Sequence, residues 1–463
     1  MKIKFTVPAL LSLIVLTATH CSKSASGGNA AIITPPASIL GLAYYVSGTF
    51  GSDVNTGLSA VSPLKSLTIG YNKLNAGDTL YIMNGNYVTT TSPILNITKS
   101  GTADSYIVIR AYPGHTPKFF AFGDIWNAVV INGSYIVFEG IDMRGENANL
   151  TAEGALAAYN TALSDGVSTA VNARFNTNGI SIGGPGAESK RPHHVVIRNC
   201  KVHDFPGGGI SSIQADYTTI EGNLVYNNAW YMMYAGSGIS IYSPFNSDAP
   251  DINKYKNIVR NNICSNNKTT IPWISINPRR LSDGNGIIID INQYPYNQPT
   301  VTNMRYTGRT LVENNVSYNN GGSGIHAYRA DHVDIINNTA YGNGAIVGYA
   351  DIFAGSSTDV KIVNNIMYAR MGGKCNSTPS SGTTVTYDYN IYFNGTVAVQ
   401  GVHDKIVNPS FISTGADPLL ANFSLNAGSP AIDAGTQTIF SKKDIKDISR
   451  PKGAGVDCGA YEF

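Results

Sequence analysis

Charge is scarce in this chain. Asp, Glu, Lys and Arg make up 13% of 463 residues, and 32 basic against 30 acidic side chains leave a formal net charge of +2. So even a balance gives no basic field for nucleic acid or a membrane surface, and neither partner is expected. Cysteine is scarce too: five in all, with no CxxC and no His/Cys cluster at metal-ligand spacing, so no zinc is expected. Cys200, Cys264, Cys375 and Cys458 permit three pairings, and spacing does not choose among them. Long apolar runs are missing as well. The run from Val7 to Leu16, behind Lys2 and Lys4, is too short for a membrane span and reads as an export signal over residues 1–21, with a flexible Ser/Gly-rich linker over 22–43.

Glycine, by contrast, is abundant at 48 residues, as many turns between short strands require. The stretch from Gly236 to Arg370 organises the rest. It holds Gly236-Ser-Gly-Ile-Ser-Ile-Tyr242, Gly284-Asn-Gly-Ile-Ile-Ile-Asp290 and Gly322-Ser-Gly-Ile-His-Ala-Tyr328, each followed by a β-rich segment ending in Asn-Asn. Asn223, Asn262, Asn315, Asn338, Asn365 and Asn390 mark one corner of the repeat, with Tyr226, Tyr318, Tyr341 and Tyr368 three residues further on. The tightest spacing is roughly two dozen residues, too short for a helical pair or a propeller blade and suited to one coil of a parallel β-helix. Amides stacked at about 4.8 Å can bond from coil to coil, so a ladder of asparagines is expected, with Cys200 in the same register as a buried thiol. A solenoid grows by adding coils, so the length gives no domain count.

Several segments resemble known families. Thr17-Ala-Thr-His-Cys21 resembles a bacterial lipoprotein signal with Cys21 as the lipidated residue, although His20 stands where that pattern has Gly, Ala or Ser. This implies an outer-membrane or cell-surface lipoprotein; plain secretion or a periplasmic location is the alternative. Tyr44-Tyr-Val-Ser-Gly-Thr-Phe-Gly-Ser-Asp53, Ser62-Pro-Leu-Lys-Ser66, Gly77-Asp-Thr-Leu-Tyr-Ile82 and Gly85-Asn-Tyr87 resemble the opening segment of secreted right-handed parallel β-helix proteins that act on carbohydrate, family 9 pectate lyases among them. A short helix over Ile69 to Leu74 is expected to cap the open end, and Thr151-Ala-Glu-Gly-Ala-Leu-Ala-Ala158 to form a helical turn in a loop between coils. Asn408-Pro-Ser-Phe411, Gly428-Ser-Pro-Ala-Ile-Asp-Ala-Gly435 and Asp457-Cys-Gly-Ala-Tyr-Glu462 resemble the irregular C-terminal segment of such proteins. The resemblance implies an all-β, right-handed parallel β-helix over 44–395 with an N-terminal cap, a packing segment over 396–463, and a monomer. It covers architecture and stops at the chemistry. Ile288 stands where family 9 pectate lyases carry a lysine base, and their Asp-Asp-Gly-x-Asp calcium motif is absent, with only Asp204 and Asp216 in the corresponding coils. No cofactor is expected, and calcium lacks its usual acidic cluster.

The longest intervals between corner asparagines, around residues 243–256, 269–281 and 292–307, flank the central Gly-X-Gly-Ile strands and should wall a cleft. If Ile239, Ile287 and Ile325 point inward, period two turns Ser240, Ile288 and His326 outward, then Tyr242, Asp290 and Tyr328. Asp290 would lie between the two tyrosines, with His326 diagonal to it. Asp283 precedes this strand, Arg279 and Arg280 lie on the loop before it, and Arg329 follows Tyr328; Trp230, Trp273, Tyr294 and Tyr296 are further aromatic groups on loops. Rings stack on sugars and guanidinium groups bind carboxylates, so a polysaccharide partner is expected. Two reactions compete. β-Elimination from a uronate would use His326 as base, Tyr328 as proton donor and Arg279 or Arg280 as neutraliser. Glycoside hydrolysis would use Asp283 and Asp290. A glycan-binding β-helix without catalysis is the third reading.

Overall fold

Each repeat supplies three short strands that cannot pair within their own coil, so backbone hydrogen bonds run to the coils above and below. The computed structural model describes residues 41–166, 172–184, 191–294, 305–415, 417 and 420–463. The export signal with Cys21, the linker up to residue 40, and Tyr296 lie outside the described residues. Among the described residues sheet I has eleven strands, from Ala43–Val46 to Val385–Asp388; sheet II has eleven, from Asn86–Thr89 to Lys405–Ile406; sheet III has eight, from Leu95–Ile97 to Ile352–Gly355. All three are parallel throughout, and the fold is a right-handed parallel β-helix.

The interior follows from period two. Ile180, Ile210, Ile239, Ile287, Ile325 and Ile352 occupy one register position of sheet III, and each is 0% exposed. Identical β-branched side chains at the rung spacing fill the interior with like on like.

The Asn-Asn corners have two functions. The first Asn takes a left-handed backbone, with φ of 56° at Asn261, 53° at Asn314, 51° at Asn337 and 59° at Asn364, a conformation asparagine adopts more readily than most residues. The second Asn turns inward. Asn262 accepts from the backbone N–H and the side-chain amide of Asn223 at 3.0 Å each, Asn315 accepts from Asn262 in the same way, and the series continues through Asn338 and Asn365 to Asn390. Cys200 is the buried thiol above this file, its backbone N–H donating to Asn223. A second ladder runs beside it through Asn228, Asn267, Asn320 and Asn343, five residues after the first in each coil. Each file ends on a carboxylate, Asp404 for one and Asp351 for the other. The tyrosine row is less regular than expected. Tyr341 and Tyr368 pack 4.8 Å apart, but Tyr226 stacks on His203 and Tyr318 meets Phe423.

The sparse charge is spent in order. On sheet I, Arg110, Glu139, Arg198, Glu221, Arg260 and Glu313 follow one another at a single register position with alternating sign. Contacts of 3.3 Å for Arg110 with Glu139, 3.0 Å for Arg198 with Glu139 and 2.6 Å for Arg260 with Glu221 tie neighbouring coils, and a one-residue slip would break them all.

Helix α1, Leu67–Lys73, lies at the first coils, where the Tyr71 hydroxyl accepts from the backbone of Thr98 and Lys99 at 2.7 Å. The Ala-rich insertion differs from the expected turn: it is a 14-residue helix, α2, Ala152–Asp165, whose N-cap Thr151 accepts from Gly154 at 3.1 Å. Alanine favours the helix, and Ala155, Tyr159 and Ala162 form one buried stripe. The C-terminal segment covers the last coils of sheet II. Phe423 and Tyr461 pack with Tyr318, while Asn314, Asn337 and Asn364, the outer members of the corner pairs, donate to its backbone.

Candidate functional site

The outer face of sheet III lies between two sets of long loops. On the side where the chain enters the sheet, residues 229–235 and 268–283 form a wall. Tyr231, Met233, Ile271 and Ile274 of that wall share a satellite core with Leu150, Ala155, Tyr159 and Ala162. On the exit side, residues 243–250 are tied to the segment after residue 304: Asn246 donates to the Arg305 carbonyl at 2.8 Å, and Tyr306 donates to Asp216 at 2.7 Å. Arg305 in turn pairs with Asp331. The entrance wall therefore has its own core, and the exit wall is held by hydrogen bonds and an ion pair.

On the floor, Tyr242, Asp290 and Tyr328 occupy one register position in consecutive strands, so Asp290 stands between the two tyrosines as expected. Asp283 approaches with a left-handed backbone, φ 63°, and its carboxylate accepts from the Asn285 amide at 2.8 Å. Both aspartates are surrounded by protein on most sides and still reach solvent, as groups on the floor of a concave surface do. Burial pushes Asp283 up to about 7, opposed by the Asn285 hydrogen bond. Asp290 is raised well above the usual carboxylate range by burial and then by the charge of Asp283, with Arg329 opposing. The pair therefore holds at least one proton near neutrality, the condition that general acid–base chemistry needs.

The expected base is not available. His326 points out of the solenoid, as period two demands, yet only 4% of it is exposed. Its ring stacks on Phe353 at 4.6 Å and 12°, Tyr349 approaches edge-on at 5.9 Å, and Nδ1 lies 2.6 Å from the Ser323 hydroxyl. Burial lowers its pKa to about 3, which leaves a neutral ring with little affinity for a proton. Ile288, its neighbour in register, is 5% exposed. The covering residues Tyr349 and Phe353 were not singled out from the sequence; the signal was the interval from Asn338 to Asn365, 27 residues against 23 in the coil before it.

The arginines divide. Arg279 folds back to donate to the carbonyl of Ile276 on its own loop. Arg280 is exposed, and its charge acts on Tyr349, which Asp283 also influences. Arg329 is exposed beside the floor, its guanidinium 5.5 Å from the Tyr328 ring centre. Among the described residues none of the three makes an ion pair; the charge of Arg329 acts on Asp290, and Asp331, two residues after Arg329, is bound by Arg305 and Gln293. Tyr328 is 39% exposed, Tyr242 less so. Trp273 is partly buried within the entrance wall, and Tyr294 is partly buried on the exit side.

Asp204 and Asp216 do not fit a calcium site. Asp204 is held by His203 at 2.8 Å, Asn227 at 2.9 Å and Arg144 at 3.7 Å at sheet II, whereas Asp216 is fully buried at sheet I, accepting from Tyr306 and Ser247. Among the described residues no group of three His, Cys, Asp or Glu side chains could hold a metal ion.

Comparison with known proteins places the fold. A family model described as Pel9A-like, right-handed β-helix region, matches residues 44–354. A solved structure titled pectate lyase Pel9A superposes with a TM-score of 0.51 at 16% identity, covering 91% of this chain and 96% of that one. A curated relative, pectate lyase PEL9 of Emericella nidulans, is 38% identical over 78 residues, which is 17% of this chain and 18% of the relative's length. The chain thus matches about a fifth of that protein.

Proposed function

The chain belongs to the Pel9A-like right-handed β-helix family, and from that premise we propose that it degrades a uronate-bearing polysaccharide by β-elimination on the outer face of sheet III. The observation that carries the reading is the Asp283/Asp290 pair, two carboxyl groups of raised proton affinity beside two tyrosines and Arg329, whose charge acts on Asp290. Pectate, the substrate in the names of both relatives, is the first polymer to try.

The groups sort by charge. Arg329, with Arg280 at the rim, binds the uronate carboxylate and withdraws charge from it, which acidifies the adjacent C–H. Asp283, ionised in part near neutrality, takes that proton. The C–H electron pair forms the new double bond, the bond from the next ring carbon to the glycosidic oxygen breaks, and Asp290 delivers its proton to the departing oxygen. Tyr242 and Tyr328 support the sugar rings on either side. Compared with the scheme read from sequence, the base moves from His326 to Asp283 and the donor from Tyr328 to Asp290.

The same pair supports a second reading. Asp290 as acid and Asp283 as base on a water molecule constitute inverting glycoside hydrolysis. The raised carboxyl pair favours either reaction; Arg280 and Arg329, exposed and without an ion pair among the described residues, favour the acidic substrate. The test is incubation with polygalacturonate, alginate and a neutral xylan, following ultraviolet absorbance of an unsaturated product and new reducing ends together. β-Elimination gives both signals on a uronate polymer. Reducing ends without absorbance establish hydrolysis, and binding without either signal leaves the glycan-binding reading.

Export to the cell surface through lipidated Cys21 belongs to the same proposal. Labelled fatty acid should enter the full chain and fail to enter Cys21→Ala.

A further inference from the structure

We propose that Trp126 and Tyr234 form a distant sugar-stacking subsite, so that the enzyme takes long stretches of polymer lying along the solenoid axis; this rests on the polysaccharide reading above. Trp126 immediately precedes the Asn127–Ile131 strand of sheet III and is 45% exposed. That strand lies four rungs from the strand of Asp290, with 178–183, 210–213 and 239–242 between them, a separation of about 19 Å at the usual rung spacing. Both the Trp126 side of the strand and Asp283 lie on the entrance edge of the sheet, so they border one trough.

The platform is held in place. The Trp126 carbonyl accepts from the Asn178 backbone at 2.8 Å and from its amide at 3.3 Å. Tyr234 comes from the wall loop three rungs away, and the residue before it, Met233, is fully buried in the satellite core and donates its N–H to Asn176 at 3.1 Å. The two rings meet at 6.1 Å and 51°, an open angle that leaves ring surface uncovered. Among the described residues neither the Trp126 indole N–H nor the Tyr234 hydroxyl has a hydrogen-bond partner, and either could serve a sugar hydroxyl. Trp230 on the same wall is different: its N–H donates to the Asn266 carbonyl at 3.0 Å and Lys268 covers its ring at 4.0 Å. Between the platform and Asp290 the outward residues are Ser181, Ser211 and Ser240 at the register of Ile288, the first two largely buried, and Gly183, Ile213 and Tyr242 at the register of Asp290.

The test uses polygalacturonate and its short oligomers with the full chain, Trp126→Ala and Trp126→Phe. The ratio of kcat/KM on polymer to kcat/KM on a short oligomer should fall at least about tenfold in Trp126→Ala, within the range found for a lost aromatic stacking partner, and recover in part in Trp126→Phe. Tryptophan fluorescence of an Asp290→Asn background should respond to polymer and lose most of that response with Trp126→Phe. An unchanged ratio in an enzyme that cleaves polymer overturns this inference and leaves the functional reading intact. A fluorescence response through Trp126 without cleavage removes the catalytic reading and keeps the subsite. No response and no cleavage on any of the uronate polymers removes both.

Discussion

The last coils of sheet II and the middle coils of sheet III both present aromatic side chains outward, but they end differently. On sheet II, Tyr318, Tyr341 and Tyr368 meet Phe411 and Phe423 of the C-terminal segment, ring against ring at 5.0 to 6.4 Å. On sheet III, Tyr242 and Tyr328 have a carboxyl group between them and an arginine beside them. One face has been given a lid from its own chain and has become core; on the other, Tyr328 keeps 39% of its surface exposed. A row of tyrosines is thus no sign of function until what covers it is known.

The largest effect should come from exchanging the roles of these faces. Asp290→Asn and Asp283→Asn should each lower turnover at least about a hundredfold, as loss of a positioned proton carrier does, with an unchanged circular-dichroism spectrum and melting temperature no lower than wild type. Phe423→Ala should do the reverse, costing about 3–5 kcal/mol in urea unfolding while turnover of the folded fraction holds. Full activity in both aspartate variants would move the chemistry off sheet III.

Next in size is the ladder beneath both faces. Asn338→Ala removes the acceptor for the Asn315 backbone and amide and the donor to Val312, leaving buried groups without partners at about 1–3 kcal/mol each. The urea midpoint should drop accordingly. Smaller again is the contrast between arginines. Arg329→Ala should raise KM for a uronate oligomer several-fold, whereas Arg279→Ala, whose side chain is engaged on its own loop, should not. Equal effects would mean that the acidic substrate is gripped elsewhere.

Much of the fold was legible because it repeats. Asn-Asn corners and inward isoleucines impose a register that the strands obey, and Asp290 fell between Tyr242 and Tyr328 for that reason. The second ladder was equally present in the sequence, five residues after Asn223, Asn262, Asn315 and Asn338, and was hidden only by the conspicuous dipeptides beside it. What repetition does not encode is cover. Period two says that His326 faces outward; it says nothing of Phe353 from the next coil or Tyr349 from a short insertion, and those two rings decide that the imidazole is buried. The α2 helix was underestimated for a related reason. Its buried stripe is narrow, and the wall residues it packs on, Tyr231 and Ile271, are far away in sequence.

The end of the second ladder gives the finest test, because it isolates a buried carboxyl from catalysis. Asp351 is 1% exposed; one oxygen accepts from the backbone and amide of Asn343 at 3.1 and 2.8 Å, and the other has no hydrogen-bond partner among the described residues. Burial pushes its pKa up to about 7, against about 3.9 for an unfolded aspartate. The folded state therefore binds this proton more tightly than the unfolded one. The stabilisation is complete below about pH 4 and is lost as pH rises through about 7, where the buried group must ionise. An asparagine keeps the acceptor without the charge. The melting temperature of Asp351→Asn relative to wild type should thus be higher at pH 8 than at pH 5. A pH-independent difference would mean that the ladder ends on a charged group after all, held by something other than Asn343.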